Sequence, residues 1–329
     1  MRSVEGVSTS PRHAPVQFSA PDFAVIERDM ARFKSADLAP RTVSSYESDV
    51  RVFRAWCLVA ERIALPATAI TVQLYVTDLI GSRGRKISTV ERHVAAIKRL
   101  HKTAGEQTPC GPEIQELLAG ARRILCQRPS QKEAIRLVDL RAMLRVTEAD
   151  TAIASRNTAL LLFGFASALR RSNLAALQFS DLTFLPQGIL VAVNREKQDR
   201  QGKGRTVAIP RGKRLATCPV RALDRWLVWR GREPGFLFLS CLNGHLSGKG
   251  ILPNRVCQIV QEAVASIGLD PRRFGAHSLR AGLATEALEN GVNEVTIAQQ
   301  TGHASLETLR IYLRSRDPFR GNVCAQLGL

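Results

Sequence analysis

The sequence predicts a mainly α-helical protein with a small β-sheet, an α+β fold in two domains. In the first third of the chain, apolar residues recur at steps of three and four, as in amphipathic helices. Farther along, GILVAVNR at 188–195 and RTVAIP at 205–210 have the composition of two paired strands. The chain of 329 residues is also long enough to bury two hydrophobic cores.

The first domain is predicted over residues 21–125 as a series of helices. Ser88 and Glu91 have the S-x-x-E spacing of a capping box, which predicts that one helix begins there. Residues 1–20 lack the apolar core of a signal peptide and are expected to form a disordered arm. The residues expected in the helical core are Val43, Tyr46, Val50, Phe53, Cys57, Val72, Tyr75, Leu79, Ile80, Val90, Val94, Ile97, Leu100, Ile114, Leu117, Leu118, Ala121 and Ile124.

The second domain is predicted over residues 138–316. It follows CQRPSQKEAIRL at 126–137, whose proline and polar side chains indicate an interdomain linker. Ser172 is expected to cap a short helix at 173–177. The other helices predicted in this domain cover 138–146, 156–168, 219–230, 251–267 and 278–290.

The charge of the chain is its most informative bulk property. It has 47 Lys and Arg against 29 Asp and Glu, a formal net charge of +18. Such an excess is expected when the partner is a polyanion, because neutralised phosphates release counterions, although a solvated basic surface also explains it. No apolar run approaches the ~20 residues needed to span a bilayer. Nucleic acid is therefore favoured over a membrane as the partner, and the expected location is cytoplasmic.

Seven scattered cysteines give no sign of a metal site or a disulfide framework. The number is odd, and no pair has the C-x-x-C spacing of a zinc site. We expect them to act as small apolar residues in a reducing compartment.

Several basic side chains lie off the apolar stripes of the first domain. Their position on the predicted helices suits contact with DNA phosphates. These candidates are Arg92, Lys98, Arg99, Lys102, Arg122 and Arg123.

Two short motifs near the carboxyl end contain candidate catalytic groups. His277 and Arg280 are three residues apart, so at a helix start both project from one face and can serve an anionic oxygen. His303 lies in a turn before a further helix, on which Tyr312 falls at the edge of the apolar stripe. Taken singly, a surface pair and an ordinary core-edge tyrosine explain these residues better.

Two further basic residues come earlier in the second domain. Arg170 follows an apolar helix, where a buried arginine needs an anionic partner. Lys197 lies just past the first predicted strand, in a loop that could carry a lysine towards another surface. Lys203 in the same loop is a competing candidate, and such loops are usually only solvated turns.

In combination, these residues resemble the active-site set of the tyrosine recombinases, the phage-integrase family. The matching stretches are ALRRSNLAAL, VNREKQD, HSLRAGLAT and TGHASLETLRIYLR, in the family's order. The helices containing TVSSYESDVRVFRAWC and STVERHVAAIKRLHKTAG also resemble the core-binding domain of Cre-type members. The resemblance extends over residues 21–316. The implied catalytic residues are Tyr312, Arg170, Lys197, His277, Arg280 and His303.

The resemblance implies a site-specific DNA recombinase that needs no metal or other cofactor. Tyr312 would attack the scissile phosphate, with His277 as its base, leaving a 3′-phosphotyrosine and a free 5′-hydroxyl. Arg170 and Arg280 would hold the non-bridging oxygens, where a forked guanidinium suits the geometry better than an ammonium. His303 would donate a hydrogen bond to the same phosphate. Lys197 would protonate the 5′-oxygen.

The family also implies an assembly. Its members close a C-shaped clamp around double-stranded DNA, and a homotetramer exchanges strands between two sites for integration, excision or resolution. The tail at 317–329 would dock on a neighbouring protomer or fold back on its own. Asn173 departs from the acidic residue that many members have three positions after the first arginine. Asparagine keeps hydrogen bonding there but supplies no charge, so we expect a modest effect.

Three alternatives to a recombinase follow from the same residues. A type IB topoisomerase-like enzyme would form the same 3′-phosphotyrosine and act alone. A catalytically silent DNA-binding regulator could share the fold, although the intact catalytic set argues against it. A metal-dependent nuclease built on His277 and His303 is less favoured, because no carboxylate cluster accompanies the two histidines.

Overall fold

The computed structural model describes residues 22–35, 37–126, 131–146, 149–194, 204–242, 244–303, 305–307, 309 and 327. The chain divides into two compact units, Met1–Pro129 and Ser130–Leu329. The described residues are mostly helical, with two small antiparallel sheets in the second unit, which confirms the predicted fold class. Within these ranges, no helix is long and apolar enough to cross a membrane.

The first unit consists of helices joined by short turns in its described residues. They are α1 Phe23–Ser35, α2 Pro40–Val59, α3 Ala69–Gly81, α4 Ile87–Ala104 and α5 Pro112–Leu125. Proline at the first position of α2 and of α5 has no N–H where a helix would leave one without an intrahelical partner. Thr68 caps α3, because its side chain accepts a hydrogen bond from the backbone N–H of Thr71.

The core of this unit is built from most of the apolar residues predicted for α2 to α5, but Val43, Tyr46 and Val50 are only half-buried and lie outside it. Fully buried members include Phe53, Val72, Tyr75, Val90, Ile97, Ile114 and Leu118. Ile124 was also expected inside, but this side chain is 83% exposed. It lies in the last turn of α5, at the edge of the apolar stripe, where the core no longer covers the helix.

A polar network is buried inside the same core. Asp49 and His93 are only 4% and 6% exposed. The His93 ring contacts the Tyr75 hydroxyl at 2.9 Å and an Asp49 carboxylate oxygen at 3.3 Å, and Arg92 Nε donates to the other carboxylate oxygen at 2.7 Å. Burial lowers the pKa of His93 and raises the pKa of Tyr75. The network joins α2, α3 and α4 through groups that satisfy one another.

The second unit surrounds a central helix with further helices and two sheets. Its described helices are α6 Leu137–Val146, α7 Ala152–Ser167, α8 Arg171–Ala176, α9 Pro219–Arg230, α10 Pro253–Ala265, α11 Ala276–Glu289 and α12 Glu294–Thr301. Its described strands are β1 Leu182–Leu185, β2 Gly188–Val193, β3 Arg205–Pro210, β4 Leu239–Leu242 and β5 His245–Gly250. The sheets are antiparallel, with orders β1-β2-β3 and β4-β5, and Val193 pairs with Arg205.

Helix α7 is the centre of this core. Residues 159–165 are all buried, and the helix packs mainly against α9 and α11. The largest buried side chain, Trp226 on α9, donates its indole N–H to the carbonyl of Leu237 at 2.8 Å. A smaller cluster joins α11 and α12 through Ala284, Leu288 and Ile297.

The predicted linker is partly built into the second unit. Ile135 is fully buried, and its N–H donates to the Ser278 carbonyl at 3.0 Å. Arg136 donates to carboxylates of Glu286 and Glu289, each at 2.8 Å. The described residues 131–136 therefore anchor α11.

Helix α7 begins at Ala152, four residues before its predicted start, and two predicted helix caps were wrong. Helix α4 begins at Ile87 with Lys86 as its N-cap, so Ser88 lies inside the helix and forms no capping box. Ile87 is 6% exposed, and its burial favours a helix that starts before the predicted cap. Helix α8 begins at Arg171, with Arg170 rather than Ser172 as its N-cap.

Candidate active site

Arg170 lies where the central helix turns into α8. Helix α7 ends at Ser167, and Ala168 has a left-handed backbone conformation with φ of 50°. Arg170 follows in an extended conformation, and its carbonyl accepts a hydrogen bond from the N–H of Leu174 at 2.9 Å. This reversal leaves Arg170 partly buried at the carboxyl end of α7.

Arg280 is buried in the first turns of α11. It is 1% exposed, and its Nη1 donates to the carbonyls of Ala168, at 2.9 Å, and Thr301. These carbonyls lie at the carboxyl ends of α7 and α12, where the helix dipole favours a cation. A guanidinium remains charged when buried, so Arg280 places a fixed positive charge between three helices.

His277 lies one turn before Arg280 on the same helix. His277 is exposed to solvent as a residue. The protein atoms around its ring nevertheless remove part of the water that would surround it. This desolvation, together with the positive charges of Arg280 and Arg170, lowers the pKa of His277 from its ordinary value. The ring is therefore neutral at pH 7, the form that can accept a proton.

His303 is placed by the end of α12. Gly302 ends this helix with φ of 68°, a conformation that suits glycine, and His303 follows directly. The hydroxyl of Thr301 lies 2.7 Å from His303 Nδ1. Burial, Arg280, Arg170, His277 and Arg205 lower the pKa of His303 to about 3.

Two arginines and two neutral imidazoles thus share one site. Arg170 and Arg280 act on the pKa of both His277 and His303, which places the four groups within electrostatic range of one another. They come from the α7–α8 turn, from α11 and from the residue after Gly302. Such a concentration of positive charge and hydrogen-bonding nitrogens suits an anionic oxygen group. Among the described residues, no group of three or more His, Cys, Asp or Glu could hold a metal ion.

The segment that leads to Tyr312 is described as far as Leu309. Leu309 is fully buried and Leu306 packs against the α11–α12 cluster, as the predicted apolar stripe requires. Ser305 accepts a hydrogen bond from the N–H of Glu307 at 3.1 Å, as an N-cap side chain does. Tyr312 lies outside the described residues, and so do Lys197 and Lys203.

Comparison with known proteins identifies the family of the chain. The model of the phage integrase family matches residues 134–318. An integrase/recombinase xerD homolog from Selenomonas ruminantium is 32% identical over 294 residues, covering 86% of this chain and 84% of that protein. The chain belongs to the phage integrase family. It is a tyrosine recombinase, as the sequence motifs predicted, and a site-specific recombinase rather than one of the alternatives.

Other relatives can be aligned with this tyrosine recombinase along nearly the whole chain. The tyrosine recombinase XerD from Listeria monocytogenes is 24% identical and covers 91% of this chain and 95% of its own. Among solved structures, a lambda integrase dimer bound to a COC′ core site has a TM-score of 0.60 at 16% identity, over 90% of this chain and 78% of that one. A Tn1549 transposon integrase in complex with transposon right end DNA has a TM-score of 0.61 at 13% identity, over 92% of this chain and 96% of that one. The similarity to solved structures supports the fold of both units.

The six residues predicted to bind DNA all lie in the first unit of the recombinase. Some of them pair with carboxylates, and others are exposed. Arg92 is held by the buried carboxylate of Asp49. Arg99 pairs with Asp37 at 3.0 Å, and Arg122 contacts Glu91. Arg123 and Lys102 are exposed, and Lys98 is partly exposed. A DNA-contacting role for the six residues remains a prediction.

Three residues around the active site were missed in the sequence. Thr301 contacts the His303 ring, and Arg205 and Gln300 hold the end of α12. Thr301 gave a weak signal, because it stands two positions before a candidate histidine. Arg205 gave none, since its partners are 94 to 96 residues away in the chain.

Proposed function

We propose that this tyrosine recombinase cleaves and rejoins duplex DNA through a covalent bond between Tyr312 and a 3′-phosphate. The observation that carries the proposal is the convergence of Arg170, His277, Arg280 and His303 at one site. A phosphodiester resists attack because it is anionic and because its alkoxide is a poor leaving group. Catalysis therefore needs fixed positive charge, an aligned nucleophile and a proton for the leaving oxygen.

The two arginines would bind the non-bridging oxygens of the phosphate. Arg280 is fixed by two helix-end carbonyls, so its charge needs little reorganisation when the phosphate enters. Arg170 is set by the turn that follows α7. Two guanidiniums supply the charge that metal ions supply to many phosphoryl-transfer enzymes, so we propose a reaction that needs no metal or other cofactor.

Tyr312 would attack the phosphorus atom while the bond to the 5′-oxygen breaks. A phenol with pKa near 10 is protonated at pH 7, so a base must take its proton. His277 suits this role, because its lowered pKa leaves the ring neutral. The products are a 3′-phosphotyrosine and a 5′-hydroxyl. Because the covalent bond conserves the energy of the phosphodiester, a 5′-hydroxyl from a second duplex can reseal the strand.

His303 would donate a hydrogen bond to the bound phosphate. A neutral imidazole carries one proton, so Nε2 can donate only if Nδ1 is the acceptor. The Thr301 hydroxyl has one proton, which it donates to the Ile297 carbonyl at 2.6 Å. Turning that proton to Nδ1, 2.7 Å away, when the phosphate binds would leave the imidazole proton on Nε2. In that arrangement Thr301 would orient the ring, with the Nε2 proton towards the DNA.

Lys197 would protonate the departing 5′-oxygen, with Lys203 as the competing candidate. Both belong to the segment between β2 and β3. A substrate with sulfur in place of the bridging 5′-oxygen distinguishes them, because a thiol is far more acidic than an alcohol and its thiolate leaves without a proton. We expect Lys197→Ala to cleave the normal duplex slowly and the sulfur-containing duplex at the rate of the unchanged protein. If the sulfur-containing duplex restored the cleavage rate of Lys203→Ala and not that of Lys197→Ala, Lys203 would be the proton donor.

The partner of the recombinase would be double-stranded DNA, clamped by both units. A homotetramer on two recombination sites would exchange strands for integration, excision or resolution, and the tail at 317–329 would dock on a neighbouring protomer.

Two solved relatives are a recombinase named XerH bound to a difH substrate and the lambda integrase dimer on its core site, and both support a DNA partner. The protein would act in the cytoplasm, without a membrane or a small-molecule substrate. The mass of the assembly on two selected duplexes, measured by light scattering, tests the fourfold stoichiometry.

A further inference from the structure

Arg205 holds the carboxyl end of α12. It is the first residue of β3 and is partly buried. Its Nη1 donates to the carbonyls of Gln299 and Gln300 at 3.3 and 3.0 Å, and its Nη2 donates to that of Thr301 at 3.4 Å. One planar guanidinium therefore contacts three consecutive carbonyls.

These carbonyls are the ones that the helix cannot satisfy itself. The last four C=O groups of an α-helix have no intrahelical partner. In α12, the Ala298 carbonyl accepts the N–H groups of Gly302, at 2.7 Å, and His303, at 3.1 Å. The next three carbonyls point to Arg205. They also form the negative end of the helix dipole, which favours a cation.

The end of α12 that Arg205 holds also positions His303. The Thr301 carbonyl accepts from both Arg205 and Arg280, while its hydroxyl contacts His303 Nδ1. A tilt of this last turn would therefore move the imidazole and change its distance from Arg280.

A second tie joins the same helix end to β3 and α7. The side-chain amide of Gln300 donates to the carbonyls of Ala166, at 2.9 Å, and Ala208, at 3.2 Å. Ala166 precedes the turn that places Arg170. Through Gln300 and Arg205, strand β3 is thus attached to α12 at two points.

We propose that Arg205 is a positioning residue for the cleavage reaction. By holding three carbonyls of α12 against the start of β3, it sets the position of His303. It also fixes the strand end that directly follows the lysine-bearing segment 195–203. The inference rests on the proposed role of His303. It adds that the hairpin and the His303 turn are coupled through one guanidinium.

The test is single-turnover cleavage of a nicked duplex that the full-length protein has selected from a random-sequence library. We expect Arg205→Ala to lower the cleavage rate on the order of 100-fold, because a displacement of about 1 Å has that effect. Lysine has one nitrogen in place of a planar fork, so Arg205→Lys should give a smaller loss, on the order of 10-fold. DNA affinity should stay within about twofold in both variants.

Arg211 provides a matched control at the other end of the same strand. Its Nε donates to the Pro186 carbonyl at 3.0 Å, and it has no contact with α12 among the interactions of the described residues. Arg211→Ala removes the same charge from the same hairpin. We expect it to cleave within about threefold of the unchanged rate.

A double-mutant cycle separates positioning from a general loss of structure. If Arg205 acts through His303, Arg205→Ala should cost little further activity in a His303→Ala protein. Equal losses in both backgrounds would overturn the proposal, and so would unchanged cleavage by Arg205→Ala. If Arg205→Ala unfolds, the cycle is run with Arg205→Lys. Failure of the unchanged protein to form any adduct would instead contradict the proposed function.

Discussion

At the scale of single residues, the two active-site histidines differ from histidines in water. Desolvation and the charges of Arg280 and Arg170 lower the pKa of His277 and of His303, the latter to about 3. A lowered pKa means that the folded protein binds protons less readily than the unfolded chain. As the pH falls below the ordinary value of about 6.5, protonation therefore favours the unfolded chain. Neutral rings at this site therefore lower the stability of the folded protein in acid.

The first prediction is that neither ring titrates near pH 6.5 in the DNA-free protein. Both midpoints should lie lower, because partial desolvation of the rings and two nearby cations disfavour the imidazolium form. Histidine NMR titration measures them, with signals assigned from His277→Gln and His303→Gln. The free energy of unfolding should decline as the pH is lowered from 6.5. A midpoint at or above about 6.5 for either ring would contradict this description of the site.

Thr301 provides a second prediction at this scale. Thr301→Val removes the hydroxyl that contacts His303 Nδ1 and keeps the shape of the side chain. Cleavage should slow on the order of 10-fold, the effect of one lost hydrogen bond. Thr301→Ser keeps the hydroxyl and should cleave within about threefold of the original rate. Equal rates for the valine and serine variants would show that the hydroxyl does not orient the ring.

The sequence marks the candidate catalytic residues more clearly than the residues that hold them. His277, Arg280 and His303 stand in short motifs whose spacing is itself informative. Arg205 contacts backbone carbonyls, and any residue type supplies a carbonyl, so no motif marks its partners. The buried pair of Asp49 and His93 was hidden for a related reason, since polar residues on a helix are expected to face solvent.

At the scale of elements, the close approach of α11 to the segment 131–136 is a sensitive point. A Cβ added to Gly282 would lie 2.0 Å from the Ile135 carbonyl oxygen and 2.8 Å from Phe165 Cε2. Neither a backbone carbonyl nor a packed ring can move away easily. Glycine is therefore required here for packing, on the helix that carries His277 and Arg280.

The third prediction compares two glycines within helices. Gly282→Ala should lower the free energy of unfolding by about 1–3 kcal/mol through overpacking. Gly120→Ala in α5 has no atom within 4 Å of the added carbon and should raise it by about 0.5–1 kcal/mol, since alanine favours the helix. Urea unfolding of both variants measures the difference. A Gly282→Ala protein as stable as the original would contradict the packing of α11.

The positions of helices and strands could be predicted where a regular pattern of apolar residues extends over the whole element. The buried stripes of α3 and α4 follow the predicted residues, as does strand β3. Strand β1, the hairpin β4–β5 and helix α12 were missed. Their segments are short or only partly apolar, so tertiary packing rather than local pattern determines them.

At the scale of the whole molecule, the chain forms two compact units with the second anchored by its own leading segment. Ile135 is fully buried there, and Arg136 contacts Glu286 and Glu289. The boundary at Ser130 therefore lies before these anchors, whereas the sequence alone placed the catalytic domain's start at residue 138. The bounds 21–125 and 138–316 given to the two domains remain a prediction.

The fourth prediction concerns fragments of the second unit. A fragment of residues 130–329 should unfold about 5–10 °C higher than one of residues 138–329. The shorter one loses a buried isoleucine, worth about 2 kcal/mol, and leaves two carboxylates without Arg136. Differential scanning calorimetry measures both. Equal midpoints would show that residues 131–136 contribute no stability.

The fifth prediction concerns the central claim, that Tyr312 forms a covalent bond with DNA. The protein is mixed with a nicked duplex of its selected site in EDTA, and the products are separated under denaturing conditions. The unchanged chain should give a protein–DNA adduct on the 3′-phosphate and a free 5′-hydroxyl. Tyr312→Phe should bind the same duplex with unchanged affinity and give no adduct. An adduct that survives in Tyr312→Phe would contradict the account.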